Sequence, residues 1–247
     1  MRGVGRGAVA VVLAGVAVTG CKAELDTGGS ATGSGGGNPG AGARGKAGSA
    51  LAAVDSLTVK GRAPKTGYAR ERFGTAWADT DSNHCDTRDD ILKRDLKSVR
   101  FSDGECKVSG GRLDPDPYSG KDVTFTRGSS KVDIDHLVSL SDAWQKGAFK
   151  WEPGKRIALA NDPLNLLAVD ATPNRSKGDG DTATWLPPDK GFRCTYVAGQ
   201  VAVKKKYGLW VTGAERDAMK KVLGGCPDQK LPTGGNPTAA PSRFHAR

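Results

Sequence analysis

The apolar positions of this chain change period several times, and each change predicts an element. From Thr87 to Val99 (TRDDILKRDLKSV), Ile91, Leu92 and Leu96 fall on one helical stripe. Thr87 is placed to cap that helix, and Asp89 and Asp90 suit the positive end of its dipole. Asp114 to Gly120 (DPDPYSG) is dense turn chemistry, and Lys121 to Arg127 (KDVTFTR) then alternates Val123 and Phe125 with polar residues, as a strand does. Val132, Ile134, Leu137 and Val138 make the next apolar stretch, interrupted by Asp133, Asp135 and His136. Ser141 to Phe149 and Pro153 to Ala160 predict short helices, and Leu164 to Val169 (LNLLAV) a buried strand. Arg193 to Tyr207 predicts a helix, and so does Thr212 to Leu223, where Thr212 and Glu215 have the spacing of a capping box. Leu51 to Leu57 reads as a short helix or strand. Strands and helices mix without regular βαβ alternation, so the expected class is α+β.

The flanks have a different texture. Residues 1–20 pair a positive start, Arg2 and Arg6, with a short apolar run from Ala8 to Val18, the layout of an export signal. The run is shorter than the roughly 20 residues a membrane span needs. Val18-Thr19-Gly20-Cys21 resembles a lipobox, the site where bacterial lipoproteins are cleaved and acylated on cysteine. That resemblance implies a lipid anchor at Cys21 on the outer face of the cell membrane, or secretion. Residues 21–50 are rich in Gly, Ala and Ser with no apolar period, which predicts a flexible tether with a reach of about 25–30 Å. Residues 51–227 should form the folded domain, and the Pro- and Gly-rich tail 228–247 is expected to lack order.

Composition narrows the partner. The chain carries 37 basic and 27 acidic residues; without Arg2 and Arg6 the surplus is eight. Such a charge favours an anionic partner, whether nucleic acid, anionic lipid or an acidic wall polymer. Lys204, Lys205 and Lys206 beside Tyr207 offer a patch that could track a phosphate backbone, although a charge run is usually a wet helix face. Of five cysteines, Cys21 is assigned to lipid, leaving Cys85, Cys106, Cys194 and Cys226. In an exported chain an even set predicts two disulfides, and three pairings are possible. Cys85–Cys106 with Cys194–Cys226 is favoured because each closes a local loop. No CxxC pair supports a four-thiolate zinc site.

Three pieces carry candidate chemistry: Asp133-Ile134-Asp135-His136-Leu137-Val138, then Asn165 in Pro163-Leu164-Asn165-Leu166-Leu167, then Asn174-Arg175-Ser176-Lys177-Gly178-Asp179. Carboxylates and a histidine inside an apolar run are costly unless paired or bound to an ion. In this order and spacing the pieces resemble the HNH (His-Me finger) nuclease family, including the HNH domain of CRISPR effector nucleases. Residues 85–226 are similar as a whole to exported bacterial proteins related to the C-terminal domain of GmrSD-type restriction enzymes, in segments such as CDTRDDILKRDL, DPYSG, LSDAWQKGA and NRSKGD.

The resemblance implies a ββα-metal core with additional helices. It makes His136 the general base, Asp135 and Asn174 ligands of one divalent metal (Mg²⁺ or Mn²⁺), and Asn165 the residue that supports the orientation of the histidine. Arg175 and Lys177 stand where they could hold substrate phosphates. The third position is Asn where many relatives have His, and the connection between His136 and Asn165 is longer than in compact domains of the family. The function implied is metal-dependent hydrolysis of phosphodiester bonds in nucleic acid, DNA favoured, outside the cell membrane and without an obligate protein partner. The alternative is a non-catalytic, lipid-anchored module that binds nucleic acid or an acidic wall polymer. Trp144 and Trp151 read as anchors of the long connection, and His84 and His245 as loop and tail residues.

Overall fold

A computed structural model describes residues 45–128 and 131–246, all within one compact unit spanning 40–247. The predicted signal segment, Cys21 and most of the tether lie outside the described residues. The architecture is α+β, with two disulfides, Cys85–Cys106 and Cys194–Cys226.

A short helix α1 (Ala50–Val54) precedes α2 (Thr87–Asp95), and the cap of α2 differs from the expectation. Asp86 is the N-cap, its carboxylate accepting from the Asp89 amide at 2.8 Å. Thr87 is the first helical residue, and its hydroxyl donates to the Ala78 carbonyl at 2.6 Å, tying the preceding loop to the helix. The helix also ends earlier than its stripe suggests. Leu96 is already extended, and Lys97–Phe101 form strand β1. β1 pairs antiparallel with β2 (Val108–Leu113), and β2 with β3 (Val123–Thr126).

The site is built on a second, two-stranded sheet. β4 (Val132–His136) pairs antiparallel with β5 (Leu166–Asp170), Ile134 lying opposite Ala168 and His136 opposite Leu166. Between them run α3 (Leu140–Gln145) and α4 (Pro153–Ala160), and β5 leads directly into α5 (Ala171–Lys177). Two strands and the helix that follows thus form a ββα unit. Side chains alternate along a strand. Val132 and Ile134 enter a core with Ile91, Leu92, Phe125 and Ala168, so Asp133 and Asp135 take the opposite face, where α5 packs.

Helices α6 (Arg193–Tyr207) and α7 (Gly213–Gly224) close the fold. The capping box of α7 is present as read from the sequence. The lysine run of α6 is not a wet face. Lys204 is fully buried, its ammonium 3.0 Å from Asp142 and 2.9 Å from Glu215, and Lys206 donates to Asp162 at 2.6 Å; of the three only Lys205 is exposed.

The tail, expected to lack order, makes hydrogen bonds to the body. The Asn236 amide donates to Asp162, the Ala240 amide to the Gly154 carbonyl, and Arg243 to the Asp79 carbonyl. Those bonds satisfy backbone groups that a free tail would leave to water.

Candidate functional site

His136 ends β4 and is 7% exposed. Its ring lies nearly parallel to that of Trp77, centroids 6.2 Å apart, and its Nε2 sits 2.9 Å from the Ala160 carbonyl oxygen. A carbonyl only accepts, so Nε2 carries the proton and Nδ1 is the bare nitrogen. Burial pushes the imidazole down to about 3, against the pull of the Ala160 carbonyl and helped by the nearby Arg70 and Lys177 charges. The ring is therefore neutral in neutral water.

The side-chain hydrogen bonds of Asn165 go to backbone and not to the His136 ring. It precedes β5, its carbonyl side-chain oxygen accepts from the Val138 amide at 2.9 Å, and its amide donates to the Leu159 carbonyl at 3.2 Å. Its own backbone carbonyl accepts from the Leu137 amide. Asn165 thus staples the end of β4 to the end of α4, one residue from the carbonyl that holds His136.

Asp135 has both oxygens engaged. The Tyr118 hydroxyl donates to one at 2.5 Å, and the Lys177 ammonium to the other at 2.8 Å. Lys177 also donates to the His136 carbonyl at 2.7 Å and is buried. Lys177, expected at a substrate phosphate, has its ammonium paired here. With its charge spent on Asp135 and no exposure to speak of, it braces the strand that carries Asp135 and His136 and does not present itself to a phosphate. Arg175, with a side chain 72% exposed and 3.5 Å from Asp133, is still available to one.

Tyr118 gave no signal in the sequence beyond its turn. That turn is built on Asp116, whose carboxylate accepts from the amides of Tyr118 and Ser119 and reaches across to the Asp170 amide. The turn is thereby pinned to β5, and the phenol is delivered to Asp135. Burial and the adjacent Asp135 carboxylate hold that phenol protonated, well above its ordinary range, so it stays a donor.

Asn174, in α5, donates its amide to Asp133 at 3.3 Å and leaves its carbonyl oxygen as the atom suited to a cation. Asp133 is a site residue that the motif reading passed over. The available signal was its i, i+2 relation to Asp135, which places both carboxylates on one strand face. Asp133, Asp135, His136 and Asn174 all line one cleft of about 380 Å³, together with Arg70 and Arg88. Among the described residues, no three His, Cys, Asp or Glu side chains converge as a ready-made metal cage. The oxygen set is two carboxylates and one amide, and a carboxylate accepting one bond on each oxygen still has lone pairs left. Such hard oxygen donors, with room for water and phosphate oxygens, fit Mg²⁺ or Mn²⁺.

The family model for the C-terminal domain of GmrSD restriction endonucleases matches residues 86–222, more than half of the chain, and contains every cleft residue from Arg88 to Asn174. A relative described as an uncharacterized secreted protein, from Arthroderma benhamiae, is 40% identical over 182 residues, covering 73% of this chain and 86% of the relative. No solved structure gives a significant match.

Proposed function

Since this chain belongs to the family of the GmrSD restriction endonuclease C-terminal domain, we propose that it is a metal-dependent endonuclease of the HNH type, hydrolysing phosphodiester bonds of nucleic acid outside the cell membrane. The observation that carries this reading is that a histidine held by the Ala160 carbonyl and a set of oxygen-donor residues line one cleft. His136 Nδ1 takes a proton from water as the water oxygen attacks phosphorus. The Ala160 carbonyl keeps the tautomer correct by holding the proton on Nε2. Asp133, Asp135 and Asn174 would hold one divalent cation, which when bound neutralises phosphate charge and stabilises the leaving oxygen. Lys177 and Tyr118 fix the Asp135 carboxylate so that little reorganisation is needed. Arg175 holds an adjacent phosphate at the mouth. DNA is the favoured substrate because the family is one of restriction endonucleases.

Export is supported by two disulfides, which persist in oxidising surroundings, and by a relative described as secreted. The anchor on Cys21 is part of this proposal. Among the described residues no helix is long and apolar enough to cross a membrane.

The test is digestion of plasmid DNA and of RNA side by side, with Mg²⁺, Mn²⁺ or EDTA, by the wild type and His136→Ala. Metal-dependent cleavage that the variant lacks is expected. An inert wild type across metals, with binding that weakens steeply in salt and ignores His136→Ala, would favour the non-catalytic binding module instead.

A further inference from the structure

A second cavity, of about 260 Å³, adjoins the acidic cleft and shares His136, Arg70, Trp77 and Leu140 with it. Its walls are largely apolar: Phe73, Ala76, Trp77, Leu140 and Ala160. Its volume lies below the roughly 300–1,000 Å³ of sites that enclose a drug-sized ligand, and suits one planar heterocycle. The chain runs flush against α4 here. Gly74 has a φ of +84°, and a Cβ on it would lie 2.7 Å from Ile157. Trp77, at φ +60°, holds a backbone conformation that bulky residues rarely adopt. It is kept there by the Thr87 amide on its carbonyl and the Thr87 hydroxyl on Ala78.

One residue that lines this cavity carries a buried polar atom without a partner. Asn161 is 1% exposed; its amide nitrogen donates to the Ile157 carbonyl at 3.0 Å, but its side-chain oxygen accepts nothing. A buried acceptor left without a donor is destabilising, and a ligand bearing an N–H edge would relieve it. The other charged group at the mouth that is not shared with the cleft is Glu71, a second acceptor and a repellent for phosphate. Arg70 stands on the shared edge, where a backbone phosphate would pass between cavity and cleft.

We propose that this cavity is a nucleobase subsite: it receives one unstacked base, lying on Trp77 with an N–H on the Asn161 oxygen, from the strand whose phosphate occupies the acidic cleft. The inference rests on the nuclease reading for the direction of the strand, and on the cavity alone for the base. It makes single-stranded or locally opened nucleic acid the preferred form, because a base must leave its stack to enter.

The experiment is calorimetric titration of the full chain, without added metal, with the four nucleoside 5′-monophosphates and with ribose 5-phosphate as the base-free probe. At least one nucleotide is expected to bind tenfold or more tightly than ribose 5-phosphate. Trp77→Ala should bring the two within about twofold, Trp77→Phe should retain most of the difference, and Asn161→Leu should weaken the nucleotide about tenfold. Equal binding of nucleotide and sugar phosphate by the wild type, or no binding of either, overturns the subsite and needs no variant to fold. Digestion assays judge the other reading separately. Cleavage without base-dependent binding sinks the subsite alone, and base-dependent binding without cleavage sinks the nuclease alone.

Discussion

Two regions of this protein bury charge, and they do so in opposite ways. Behind α3, Lys146 lies 2.6 Å from Asp142, 2.8 Å from Asp181 and 2.6 Å from Glu215, while Lys204 bridges Asp142 and Glu215 from the other side. Arg62 closes the group from its edge, reaching Asp142 and Asp181. Three cations meet three anions, and none of the described cavities is lined by Lys146, Lys204 or Glu215. Around His136 the acidic groups instead line a cleft, and Asp133 keeps a side chain 32% exposed. Matched charges sealed from water hold elements together; charges on a cavity wall are left to deal with something that comes and goes. The difference separates enclosed, matched charge from charge that lines a cavity where residue type cannot, since both regions draw on the same Asp and Lys.

The sharpest way to break this contrast is His136→Ala. It should lower cleavage by about 10²–10⁴-fold, with a melting temperature close to that of the wild type. Steady-state rates and a thermal melt on one sample check both halves, and a variant that unfolds would place His136 among the structural residues. Lys146→Met should do the reverse. Three carboxylates would then share two cations, and removing one partner from a buried ion group costs about 3–5 kcal/mol. Denaturant melts should show that loss, while cleavage per folded molecule at low temperature stays near wild type.

Acid sharpens the comparison further. Burial alone would raise the Asp142 carboxyl, but Lys204, Lys146 and Arg62 outweigh it and bring it down to about 2, from an ordinary value of 3.8. The unfolded chain therefore takes up this proton first as pH falls. The stability it contributes is fully present above about 4 and is lost as pH drops through about 2, amounting to about 2 kcal/mol. Denaturant midpoints measured from pH 6 to pH 2 should fall over that window, and the fall should shrink in Asp142→Asn. The smallest expected effect is that of Arg175→Ala. Removing this exposed cation should weaken substrate binding only a few-fold, reduce the salt dependence of binding by about one phosphate contact, and move stability by less than about 0.5 kcal/mol. A large loss of turnover at saturating substrate would put Arg175 closer to the reacting phosphate than its exposure suggests.

Much of the cleft was legible because its parts are local. Asp135-His136 sits in one strand, Asn174 four residues beyond the end of the next, and the periods that announce β4, α4 and α6 run over whole elements. β1 and β2 were missed for a physical reason. Lys97–Phe101 (KSVRF) is mostly exposed, and Val108–Leu113 (VSGGRL) carries two glycines, so neither shows the alternation of a half-buried strand until its partner is in place. Thr87 was misread because a threonine near a helix start can bond its own helix or the loop outside it, and Trp77–Ala78 lies close enough to win.

What the chain determines by itself is what neighbours in sequence can settle. Periodicity, caps and turn chemistry commit segments to helix or strand, local spacing favours the two disulfides that form, and the order of Asp135, His136, Asn165 and Asn174 puts a recognisable set on a ββα unit. The tertiary structure decided where each charge spends its field. Lys177 went to Asp135 and Lys204 into the sealed group, Tyr118 was brought to Asp135 across the sheet, and the long connection after β4 supplied the carbonyl that sets the His136 tautomer. The reason is desolvation: whether a charged side chain faces water or a buried partner depends on what packs over it, and those partners come from as far as 62 residues away.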